Sequence, residues 1–315
     1  MSPDGKTAPG AGSGKSAWAD RREAEPAHTG WHQLGRRVAR WGLVSAGRPL
    51  RHARMLPSFL IVGEERCGTT SMFHLLRQHP AVFNGTLPRK EMHYFDHKYT
   101  HGLGWYQCHF PLSARTRLAA RGAAPVTFEA TANYMFHPLA PERINRDLPG
   151  VRLLVLLRDP VERAYSAHAH QTGFGDETES FERALDLEDS RLEGEVERII
   201  ADPTYHSYAH DHYTYRARGH YAEHLAQLEK TFGRDRIHLV DSDVFFADPG
   251  PAYGQVLSFL GLPSHTPAFT ARNARPRSPM PETVRAQLEE HFRPHDERLT
   301  AWLGHEPSWR VSRPS

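Results

Sequence analysis

Cysteine is nearly absent from this 315-residue chain, which has only Cys67 and Cys108. Two cysteines cannot build a disulfide scaffold, and so few fit a reducing compartment. Long apolar runs are also missing, since none approaches the roughly 18–20 residues that cross a bilayer. The N-terminus is polar and Gly-rich and lacks the charged-then-apolar pattern of a secretory signal. These absences give the expectation of a cytoplasmic protein. Neither sign of charge is in excess: 39 Lys and Arg face 37 Asp and Glu, for a formal charge of +2. A chain-wide nucleic-acid field is therefore excluded. What remains, 39% hydrophobic and 24% charged residues, is the ordinary composition of a soluble enzyme.

Residues 1–30 are rich in Gly, Ala, Ser and Pro and are expected to be a disordered tail. Gly10 to Ser16 imitates the end of a P-loop, but it is one residue short and no apolar strand precedes it. Residues 31–56 carry Arg36, Arg37, Arg40, Arg48, Arg51 and Arg54 among Trp31, Trp41 and Leu43. They read as a helical basic leader, either packed on the domain or touching a membrane surface or acidic partner. Residues 57–315 form the expected main domain.

The stretch S-F-L-I-V-G-E-E-R-C-G-T-T-S from Ser58 organises that domain. Its apolar run, Phe59–Val62, reads as a strand ending at Gly63. Gly68 follows a tight loop, and Met72, Leu75 and Leu76 mark a helix. Loop N–H groups and a helix N-terminus at one point favour an anion. The spacing Gly63-x4-Gly68 matches the start of a P-loop. The lysine that should follow is missing, for Thr69 stands there, and the cation in the loop is Arg66.

A second unit of this kind follows. Val151–Leu157 is a continuous apolar run that suits a central parallel strand buried on both faces. It ends at Arg158, with Asp159 as N-cap and Pro160 as first helical residue. Ser166 falls two turns into that helix, where its hydroxyl and the Arg158 guanidinium can reach one phosphate. Pro80 is expected to stop the first helix, and short elements are expected at Gly104–Tyr106 (helix) and Val126–Glu129 (strand). A helix over 217–232, a strand over 236–240 and a helix over 251–260 come next. Residues 281–303 read as two helices broken at Pro294, and 172–215 as helices and loops. The pattern is α/β, a central parallel sheet flanked by helices, and two anion turns at its carboxyl edge suggest a ligand with phosphates at both ends. The 22 histidines include His206, His210, His212, His220 and His224, but metal-ligand spacing is weak and no metal is expected.

On these residues the chain resembles the PAPS-dependent sulfotransferases (PAPS is 3′-phosphoadenosine 5′-phosphosulfate). It is most similar to bacterial relatives of the heparan sulfate sulfotransferases. The matching segments are I-V-G-E-E-R-C-G-T-T-S at 61–71, K-E-M-H-Y-F-D at 90–96 and L-L-V-L-L-R-D-P-V-E-R-A-Y-S at 153–166, with weaker matches at 218–225 and 273–281. The resemblance covers residues 57–310. It implies sulfuryl transfer from PAPS to a hydroxyl, or less readily an amine, of a carbohydrate, lipid or small molecule. It implies that Arg66, Cys67, Gly68, Thr69, Thr70 and Ser71 hold the 5′-phosphosulfate, with Arg66 where many members have lysine. Arg158 and Ser166 would hold the 3′-phosphate, and Arg275 or Arg277 would close over the nucleotide. Glu91 would be the general base, with His93 and Asp96 orienting base or substrate and Lys90 holding sulfonate or acceptor. The segment Glu129-Ala-Thr-Ala-Asn133-Tyr134 departs from the family's E-x-S-P-x-Y. The rival readings are a P-loop kinase-like phosphotransferase and a non-catalytic nucleotide-binding module.

Overall fold

Each strand of the central sheet is a short apolar run bounded by a turn signal. They are β1 Phe59–Gly63, β2 Phe128–Ala130, β3 Arg152–Leu157 and β4 Ile237–Asp241. The computed structural model describes residues 48–83, 90–120, 124–269 and 279–311. The expected tail 1–30, residues 31–47 of the leader, and Arg275 and Arg277 lie outside them. From the leader's end, Arg48–Ala53 form a 3-10 helix.

The sheet is parallel throughout, in the order β2-β1-β3-β4. Strand side chains alternate between faces, and this divides the core. Leu60, Val62, Leu153, Val155 and Leu157 pack into one cluster, while Phe59, Ile61, Leu154, Leu156 and Val240 pack into another. That two-sided burial is why β1 and β3 read as unbroken apolar runs. Phe59 and Phe128, paired in register on adjacent strands, stack 4.8 Å apart.

The strand order creates a switch point. From β1 the chain passes to β2 on one side, then crosses back to β3 on the other. In open α/β sheets the crevice at such a reversal, at the carboxyl ends, is where ligands bind. Helix α1, Thr69–Leu76, leaves β1 there, and α2, Pro160–Phe174, leaves β3. Asp159 caps α2 as expected, its carboxylate accepting from Val161 N at 2.9 Å, with Pro160 in the first turn. The helix ends on the left-handed Gly175.

Several boundaries differ from the sequence reading. The strand expected at 126–129 begins at Phe128, because Val126 pairs instead with Val82 in an isolated bridge. Residues 217–219 form a 3-10 turn before α3, Tyr221–Phe232. The break expected at Pro294 does not occur: α4, Glu282–Leu303, runs through it. Proline costs a helix one hydrogen bond and some crowding. Here Val284, Leu288 and Phe292 before it and Leu299 after it are all buried in the core, and that packing outweighs the cost.

Candidate active site

Both glycines of the first loop are required by close approach. A Cβ on Gly63 would lie 2.4 Å from Met135 Sδ, and one on Gly68 would lie 2.8 Å from the Phe246 ring. Gly68 also has φ 82°, a left-handed conformation that glycine adopts without penalty. The loop is tied down on both sides. Glu64 N donates to Leu156 O of β3 at 2.8 Å, and Ser242 Oγ donates to Cys67 O at 2.6 Å. Among the described residues no side chain caps the first turn of α1, and an uncapped helix N-terminus of this kind favours an anion. Thr69 and Ser71 sit in that turn and are largely buried; Thr70 is partly exposed.

Arg66 Nε donates to Ser166 Oγ at 3.1 Å. This bond spans the crevice and brings together the two sequence-expected anion turns. Arg158, at the end of β3, lies 3.7 Å from Asp243 and 3.9 Å from Glu162, and Glu162 also pairs with Arg285 of α4 at 2.5 Å. These long, partly exposed pairs leave the Arg158 guanidinium easy to redirect to a phosphate. Cys67 turns its thiol into the core beside the Tyr221 hydroxyl, 3.9 Å away, and burial pushes the thiol up to about 12. It holds no thiolate at neutral pH.

The second half of the site hangs from β2. Glu91 N donates to Ala130 O, the end of β2, at 2.7 Å, and His93 N donates to Thr131 Oγ1 at 3.4 Å. Since β1 and β2 are parallel neighbours, Glu91 and the Arg66 loop share the carboxyl edge. The Glu91 side chain is 41% exposed and pairs with Lys90 at 2.5 Å. Arg66, Glu91 and His93 are the non-glycine residues with positive φ among those described. Such strained backbone concentrates at functional sites.

Behind Glu91 lies a buried polar chain. Asp96 Oδ2 accepts from His93 Nδ1 at 2.7 Å and from Asn133 Nδ2 at 2.9 Å. Arg218 Nη2 donates to Asn133 Oδ1 at 2.5 Å, and its Nη1 stands 3.7 Å from Glu64. Burial opposes charge on Asp96, but His93 and His97 outweigh it and hold the carboxyl well below its usual value. Burial raises Glu64 to about 7 against the pull of Arg218 and Arg163, and raises Glu129 to about 7 as well.

Sequence reasoning found Arg66, Lys90, Glu91, His93, Asp96, Arg158 and Ser166 but missed Glu64, Arg163 and Arg218 as the loop's buried charged floor. The signals were there, an unusual Glu-Glu pair inside the loop and the R-G-H-Y segment. Asn133, the departure from the family pattern, is the residue that joins Asp96 to Arg218.

A family model for the sulfotransferase domain matches residues 56–288. Mouse heparan sulfate glucosamine 3-O-sulfotransferase 6 is 28% identical over 311 residues, covering 91% of this chain and 81% of that protein. Mouse bifunctional heparan sulfate N-deacetylase/N-sulfotransferase 4 is 27% identical over 218 residues, covering 67% of this chain but 23% of that protein. A solved sulfotransferase from Alicyclobacillus acidocaldarius is 28% identical, with a TM-score of 0.60, over 81% of this chain and 99% of its own. With the family model spanning most of the domain and a parallel sheet that carries both anion turns at one switch point, the chain belongs to the sulfotransferase-domain family.

Proposed function

We propose that the chain moves a sulfuryl group from PAPS to a hydroxyl-bearing acceptor, with Glu91 as general base. The observation that carries this is the Arg66–Ser166 bond across the switch point, with Glu91 on the adjoining strand edge. One anion turn takes the 5′-phosphosulfate and the other the 3′-phosphate, with Arg158 and Ser166 as the partners of the latter.

Glu91 accepts the acceptor's proton as the acceptor oxygen bonds to sulfur, and the bond between sulfur and the bridging phosphate oxygen breaks. Adenosine 3′,5′-bisphosphate leaves with that electron pair. Arg66 stabilises the charge building on the leaving phosphate, but a guanidinium keeps its proton and does not serve as the general acid. Asp96, ionised and bonded to His93, stiffens the strained backbone that presents Glu91. A carbohydrate acceptor is the first choice, because the two mouse relatives are named for heparan sulfate.

Calorimetry tests the donor. Adenosine 3′,5′-bisphosphate should bind about a hundredfold tighter than ADP, the worth of two charge-assisted hydrogen bonds to the 3′-phosphate. Equal affinities would remove PAPS as donor and favour a phosphotransferase.

A further inference from the structure

Two histidines one turn apart on α4, His291 and His295, meet a third, His220, just before α3. His220 Nε2 and His291 Nε2 are 3.1 Å apart, and the His220 and His295 rings stack with centroids 3.7 Å apart, 7° from parallel. One ligand atom from each of the three lies within 4.8 Å of the others. Two nitrogens on one tetrahedral zinc, each about 2.0–2.1 Å from it, stand roughly 3.4 Å apart. The His220–His291 spacing is therefore close to what a shared ion needs, whereas the His295 ring, stacked flat on His220, has to turn out of the stack to aim a nitrogen at the same ion. Spacing of i and i+4 on a helix puts both α4 ligands on one face.

Glu223 completes the pattern. Its carboxylate lies 3.2 Å from His295 Nδ1 and 3.7 Å from His220 Nδ1. A carboxylate on Nδ1–H is the usual partner of a metal-bound histidine, since it fixes the tautomer that turns Nε2 to the ion. Arg216 faces His220 and His291, Asp189 faces His291, and Arg298 reaches both His295 Nδ1 and Glu223 at 2.8 Å. The Arg298 side chain, half-exposed, has to leave the His295 nitrogen and stay on Glu223 when an ion enters.

The geometry points to a divalent transition-metal site formed by His220, His291 and His295 and supported by Glu223, with zinc as the fitting ion. Three histidines and an open position match zinc better than calcium or magnesium, which take oxygen ligands. The site stands apart from the transfer chemistry, for which no metal is expected. Its role is to fasten α4 to the start of α3. That matters for the site because Arg285 of α4 pairs with Glu162 beside Arg158.

Zinc titration of the full chain, in competition with a chromophoric chelator, tests this. One zinc per chain should bind, and the melting temperature should rise with free zinc. Cobalt(II) should give the intense visible bands of a four-coordinate site. Glu223→Gln should weaken zinc about tenfold to a hundredfold, and His291→Ala with His295→Ala should abolish the stoichiometric binding. Binding undiminished in that double variant would place the metal elsewhere, for example at His93, Asp96 and His97. That result, a wild-type chain that binds less than one zinc, or cobalt bands typical of six-coordination would each overturn the proposal.

Discussion

Glu91 holds a backbone conformation that its side chain does not favour, with φ 61°. Such a conformation costs about 1–3 kcal/mol and persists only where the surroundings enforce it. The Ala130 carbonyl, the Thr131 hydroxyl and the Asp96–His93 pair do so. If this strain serves to present a base, Glu91→Gln keeps the fold and the nucleotide site but loses the proton acceptor. Turnover should fall about 10²–10⁴-fold, with affinity for adenosine 3′,5′-bisphosphate unchanged. Steady-state kinetics paired with calorimetry decides, and unimpaired turnover would remove Glu91 as base. Residues of this kind were legible because their neighbours in sequence carry the motif. Arg218 was marked by the R-G-H-Y segment, but its role was not legible, because its partners Glu64 and Asn133 are distant in the chain and only the fold brings them together.

At the scale of elements, the strand–turn–helix units were legible because each is local: an apolar run, a glycine or cap, then a helical stripe. Helix α4 was misread at Pro294 for the opposite reason. The proline's penalty is local, whereas the packing of Val284, Leu288, Phe292 and Leu299 that offsets it is tertiary. The sheet order was likewise not readable from segments taken singly. Gly68 tests the element that matters most. Alanine there meets both the positive φ and the Phe246 ring, and should cost about 1–3 kcal/mol of stability. Relaxation of the loop would also disturb the first-turn N–H groups, so nucleotide affinity should fall beyond what stability loss explains. Thermal unfolding and calorimetry on Gly68→Ala measure the two effects; a variant with wild-type values for both would show that the loop does not depend on its left-handed turn.

For the molecule as a whole, buried titratable groups of opposite sign compete. Burial lowers His137 to about 4, and His210, His220 and His224 to about 3 each. Between those values and the ordinary 6.5, the unfolded chain binds protons that the native chain does not. Stability from these groups therefore rises with pH up to 6.5 and is flat above it. Glu64 and Glu129, raised from 4.5 to about 7, act in the other direction: the native chain binds the extra proton, and their contribution falls as pH rises through that window. His206, His238, His291 and His295 are also lowered and join the first group; Glu188 and Asp243 are raised and join the second. Among the described residues the imidazoles outnumber these carboxyls. Asp96, held low by His93 and His97 against its burial, adds stability that is present above 3.8 and lost in acid. Each net proton contributes a slope of about 1.4 kcal/mol per pH unit. Stability should therefore climb from pH 4.5 to 6.5 and then level or dip slightly toward 7, where the two glutamates act alone. Urea unfolding at a series of pH values, with a chelator present to keep His220 free of metal, measures the curve. A stability that falls steadily from 4.5 to 6.5 would mean that the buried carboxyls, not the histidines, govern the acid limb.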